Sequence, residues 1–163
     1  MRARIAKAKV AGREIALPTE AVMDVQVAGT FVATAQGRYF DEDLKKIGAG
    51  PLPPLVNHDT TYVVWWSVEA GANPVHDIAL TTTLPDDVLW AEDADSGVSY
   101  TKSNRQVSYT LDELAAGASR VVGFAVTISP TAQDLDSLIP LTGTTVVSAV
   151  DAYTGQEFSE QLD

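Results

Sequence analysis

PLPPLVNHDTTYVVWWSV, Pro51 to Val68, sets a proline-rich run directly against two adjacent tryptophans. From Tyr62 the even positions Tyr62, Val64, Trp66 and Val68 are all apolar, whereas the odd positions Thr61, Val63, Trp65, Ser67 and Glu69 are mixed. A repeat of two residues is the signature of a strand with one buried face. The even face is therefore predicted to be core and to hold Trp66. Trp65 points the other way, toward solvent or a neighbouring domain.

Outward from this strand the same pattern recurs. Ile78, Leu80, Thr82 and Leu84 share a face before Pro85 stops the run. Val107, Tyr109 and Leu111 alternate after Lys102-Ser-Asn-Arg105, and Val122, Phe124, Val126 and Ile128 alternate up to Ser129-Pro130. Thr144–Ala152 is a long run rich in β-branched residues, and Asp151-Ala-Tyr-Thr-Gly155 turns it into a last strand at 157–161. Asp24–Gln36 reads as the first clear strand. The segment 40–54 is polar, then rich in Gly and Pro, and reads as a loop with at most one helical turn at Asp41–Lys46. Seven or eight strands with turn signals every ~8–12 residues predict an all-β sandwich. Its core is expected to include Leu80, Phe124, Val126, Ile128 and Val146 beside the even face of the tryptophan strand.

The bulk numbers narrow the function. The chain has 163 residues, 45% hydrophobic and 20% charged, with a net charge of −11. The length suits one domain, or one domain plus a piece of another, and the balance is that of an ordinary globular chain. An acidic chain opposes a phosphate-backbone partner, which needs clustered Lys and Arg, so nucleic acid is set aside. With no cysteine there is no disulfide, thiolate metal site or cysteine nucleophile. MRARIAKAKVAGREI is basic but is followed by no apolar signal core, and no run is long enough to insert in a membrane. A signal or anchor, if the protein is exported, is expected to lie outside the chain.

Candidate sites are few. His58 and His76 are far apart, each beside an aspartate (Asp59, Asp77), and no serine sits on a G-x-S-x-G turn, so neither a hydrolytic triad nor a zinc ligand set is expected. Asp93-x-Asp95-x-Gly97 resembles the first half of a calcium loop but lacks the terminal glutamate; Asp93 and Asp95 are weak calcium candidates, and a solvated acidic loop is preferred. Trp65, Trp90 and Tyr39 are weak ligand-binding candidates, because exposed flat aromatics stack on sugars. Leu17-Pro-Thr-Glu-Ala21 departs from a sortase signal and reads as a linker, with Pro18 ending the N-terminal strand. Asp151-x-x-Thr154-Gly155 reads as a turn, the aspartate accepting backbone N–H groups and the glycine taking a positive φ.

Together these residues resemble a known pattern. Val56–Val68 (V-x-x-x-T-T-Y-x-V-x-W-x-V), Leu84–Trp90 (L-P-x-x-V-x-W), Val98–Val107 and 112–117 are followed by Phe124–Pro130 (F-x-V-x-I-x-P) and Leu141–Gly155. This is similar to the bacterial immunoglobulin-like repeat of the domain-of-unknown-function-11 type, found in tandem in long surface proteins. Two departures are Ala70-Gly-Ala-Asn-Pro74 in place of a Thr/Asn/Ser-rich turn, and Tyr109 where tryptophan is common. The resemblance implies an Ig-like domain over 22–163, with 1–21 as the tail of a preceding repeat or a linker. It also implies an extracellular, non-catalytic structural or adhesive module without cofactor. Its partners would be neighbouring domains of the same protein and other surface proteins or glycans. A carbohydrate- or protein-binding sandwich is one alternative; an intracellular assembly protein, given the opening Met and the lack of a leader, is another.

Overall fold

In the computed structural model, residues 26–163 are described in full, together with the backbone of two strands among the first 25. Those two, β1 (Arg2–Val10) and β2 (Arg13–Val22), pair antiparallel as a two-stranded sheet. Pro18 does not end the strand. It lies inside β2, as does the whole of 17–21 read as linker, at a register shift where the ladder passes from Ile5↔Thr19 to Lys7↔Ala16. A bulge is one of the few places a strand tolerates a residue with no N–H.

Nine further strands form a sandwich. A four-stranded antiparallel sheet runs in the order β3 (Phe31–Arg38), β4 (Thr60–Ala70), β9 (Ser119–Ile128), β6 (Val88–Ala94). A five-stranded sheet runs β11 (Glu157–Leu162), β10 (Thr145–Asp151), β5 (Val75–Thr83), β8 (Gln106–Leu114), β7 (Val98–Thr101). The only helix among the described residues is one 3-10 turn, Ala132–Asp134, and no helix there is long and apolar enough to cross a membrane. The fold class is all-β, as the alternation requires.

Trp66 is 1% exposed, and Val64, Val68, Ile78, Leu80, Leu84, Phe124, Val126 and Ile128 are buried with it between the sheets. Full burial of each such aliphatic or aromatic side chain favours folding by about 1.5–3 kcal/mol. Tyr62 reaches only the rim, half-buried. Val146 contradicts its expected place: it is 42% exposed, and Thr145, Val147, Ala149 and Asp151 face inward instead. Thr144–Val150 is β-branched or small at both parities, so its alternation carries no phase. The buried carboxylate of Asp151 sets it.

Two other boundaries move. The first sandwich strand starts at Phe31, not Asp24; residues 26–30 are irregular, and 24 and 25 lie outside the described residues. Asp41–Lys46 is a side-chain-capped turn, with Asp41 Oδ1 accepting the N–H groups of Asp43 (3.0 Å) and Lys45 (2.8 Å).

The sandwich has two poles. At one, Phe31 pairs with Ala70 and Val75 with Asp151; here the chain enters. At the other, Thr60 pairs with Ile128 and Thr145 with Leu162, and here β11 leaves. They are about 20 Å apart along β10 at ~3.4 Å per residue.

Candidate functional site

Trp65 lies on the outer face of the four-stranded sheet, opposite Gly123 of β9. A Cβ built on Gly123 would meet Trp65 Cδ1 at 2.9 Å and Nε1 at 3.1 Å, so the missing side chain is what lets the indole settle on the sheet. The Arg38 guanidinium stacks over the ring 5.1 Å from its centroid. Gln36 Oε1 holds that guanidinium, accepting from Nη2 (2.7 Å) and Nε (3.1 Å). Beside the ring opens a groove of about 450 Å³, with Lys45 and Lys46 on one side and Asp93 and Asp95 on the other. Protein therefore meets the indole at Gly123 and at Arg38, and Trp65 offers no bare platform. Gly123→Ala is expected to destabilise by about 1–2 kcal/mol and by clearly less in a Trp65→Ala background. Denaturant titrations of the two single variants and the double variant measure that coupling.

The other two aromatics lie elsewhere. Trp90 stacks on Tyr100 (5.1 Å between centroids, 9° between planes) and against Phe124 (5.7 Å, 26°), closing the flank of the sandwich between β6 and β7. Tyr39 is 7% exposed and donates its hydroxyl proton to the carbonyl of Gly50 at 2.5 Å; its ring packs edge-on to Tyr62 and Phe40. Trp65 belongs to an outer face and the other two to inner packing, so the structure does not join the three in one site. Tyr39 is a packing residue.

The histidines are separated by the length of the domain. His58 is exposed in the loop before β4, at the exit pole; His76 lies at the entry end of β5, with Nδ1 2.8 Å from Asp77 Oδ2. Asp59 accepts the hydroxyl of Ser129 instead of orienting His58. In the acidic loop, Asp95 continues the β6 ladder beyond a register shift: its N–H donates to Gly123 O (2.8 Å), and its Oδ2 accepts from Gly123 N–H (2.7 Å). Among the described residues no three His, Asp or Glu side chains are grouped to hold a metal. Millimolar calcium is expected to leave the melting midpoint unchanged. A rise of several degrees that a chelator reverses would contradict this.

The most connected polar group is Asp151, 0% exposed. Oδ1 accepts the N–H groups of Tyr153 (2.9 Å) and Thr154 (2.8 Å), the turn its motif implied. Gly155 then takes φ +70°, which a glycine adopts without strain. Oδ2 does something the motif did not announce. It accepts from Gly29 N–H at 2.7 Å and from Asn73 Nδ2 at 2.8 Å, and Asn73 also donates to Val27 O at 2.9 Å. Gly71 N–H adds a bond to Thr30 O, and Ala152 N–H one to Pro74 O. Burial alone would raise the carboxyl pKa; the four donors outweigh it and hold it well below the usual carboxylate range. The incoming chain, the β4–β5 turn and the β10–β11 turn are thus sewn together at the entry pole. Sequence signal for the outer half was absent, because Gly29 is 122 residues from its acceptor.

No family model matches the sequence, and no curated protein is significantly similar to it. Among solved structures the fold is similar to part of a GH20 exo β-N-acetylglucosaminidase from Vibrio harveyi. An inactive mutant of that enzyme aligns at TM-score 0.42 and 10% identity, and its complex with N-acetylglucosamine at 0.38 and 12%. Each alignment covers 82% of this chain and 17% of the enzyme chain, so this chain spans about a sixth of that length. At these scores the likeness assigns neither fold nor activity.

Proposed function

We propose that the chain is a non-catalytic Ig-like module that spaces and carries load in an extracellular surface protein, in series with neighbouring domains. The observation that supports it is the placement of entry and exit at opposite poles, with the entering segment fixed by Asp151 and Asn73. β3 leaves the entry pole and β11 arrives at the exit pole, both running the same way on the two sheets. Tension along the chain then pulls β3 and β11 lengthwise against β4 and β10. A ladder loaded lengthwise must give way as a unit, whereas one loaded from an end opens bond by bond.

The fate of the candidate chemistry supports the same reading. Asp151, Asp95 and Tyr39 each bind backbone groups of this chain, and Trp65 and Trp90 are stacked within it. A net charge of −11 favours a well-solvated surface. The extracellular part of the proposal is tested on intact cells that make the natural protein. An amine-reactive label that does not cross membranes is expected to modify the exposed Lys45, Lys46 and Lys102. Labelling only after lysis would place the protein inside the cell.

A further inference from the structure

The charge of the chain is sharply segregated. Residues 2–22 hold five of the 11 basic side chains (Arg2, Arg4, Lys7, Lys9, Arg13) against two acids, Glu14 and Glu20. Residues 26–163 hold six basic and nineteen acidic residues. The basic part is the β1–β2 hairpin, and two strands alone are marginal in water without something to pack on.

At the exit pole, the loop before β4 and the loop after β9 enclose a groove of about 530 Å³ floored by Pro53, Pro54, Val56, Ile128, Pro130 and Ile139. Asp134 and Asp136 are its charged lining residues, and among the described residues no Lys, Arg or His lines it. Large apolar side chains stand around it in water. Of the lining residues, Leu138 is 100% exposed and Leu135 64%. Clustered exposed leucines of this kind mark a contact surface.

We propose that the basic hairpin of one molecule docks on this acid-rimmed apolar groove of a second copy of the same chain, head to tail. The hairpin precedes in sequence the strand that starts at the entry pole and the groove is at the exit pole, so the two surfaces are different ones. A contact between unlike surfaces leaves one of each free at the ends of a pair, so it propagates, into open chains or, where the rotation closes, into rings. Opposite charges bring the ends together, and the exposed leucines of the groove supply apolar contact. The direction of stacking rests on the serial-module reading.

The test is sedimentation velocity of the full chain across a wide concentration range at about 10 mM and about 1 M salt, between which the screening length falls from about 30 Å to about 3 Å. At low salt the average mass is expected to at least double with concentration, and high salt is expected to reverse this. Two variants follow: one carrying Arg4→Glu, Lys7→Glu and Lys9→Glu, the other Leu135→Glu and Leu138→Glu at exposed groove positions. Each alone is expected to stay monomeric. Mixed, they are expected to give a one-to-one dimer and nothing longer, since each keeps one intact surface. A wild-type chain that stays monomeric throughout, as it would if the hairpin covered its own domain, overturns the proposal. So do oligomers that survive both sets of substitutions, or a mixture that stays monomeric. A monomer that still resists force as described below would sink this contact and leave the load-bearing reading standing.

Discussion

Trp66→Ala is expected to cost about 3–5 kcal/mol of folding stability, through lost burial and a cavity the two sheets cannot close. The ring is 1% exposed and packs edge-on to Phe124 at 5.0 Å, in a core where Leu80, Val107 and Val126 have no exposure either. Trp65→Ala, one residue away on the outer face, is expected to cost about 1 kcal/mol, the scale of a half-exposed cation–π contact and some apolar area. Trp66→Phe is expected to fall well below the alanine variant. It keeps most of the packing and removes an indole N–H that is buried without a partner. Denaturant titrations with unchanged slopes measure all three; equal losses for the two alanine variants would contradict the assignment of faces.

Asp151→Asn is expected to lower Tm by roughly 6–12 °C at neutral pH, as expected for breaking a buried hydrogen-bonded network. The amide keeps the shape but turns an NH2 toward N–H groups that need an acceptor. The pH dependence separates this from a packing defect. An unfolded aspartate takes up its proton near pH 4, and the native one only well below that. Between those values the unfolded state binds the extra proton, so stability is fully present above about pH 4 and is lost as pH falls further. The variant is expected to lose that part of the acid slope. A Tm deficit equally large at pH 2 and pH 7 would contradict the charge-based account.

Most of the sandwich was legible because its strands alternate cleanly. β4, β9 and β5 from Ile78 onward each put large buried side chains at one parity, which fixes a face without any knowledge of neighbours; Val75, buried at the other parity, lies before the change of phase at Asp77. β10 was not legible in phase, because Val146 and Val147 are the same residue type; only the partners of Asp151, distant in sequence, decide between them. The status of Trp65 was half legible. Alternation turned it outward, but the depth to which it settles depends on Gly123 and Arg38, which no local pattern connects to it. The stacking of Trp90 on Tyr100 likewise joins two sheets and has no sequence signal. Pro18 misled for a physical reason: its ring forbids an N–H bond but not extended backbone, and a bulge supplies a place where that bond is not needed.

The load-bearing claim is tested most directly by pulling a single full chain through handles at its two ends, since forced unfolding reports the barrier along that direction. After the hairpin opens, one cooperative rip is expected, releasing roughly 450 Å of contour length for residues 27–163, with Asp151→Asn lowering its force. A sandwich that lengthens in several small steps, at forces no higher than those that open the hairpin, would contradict it.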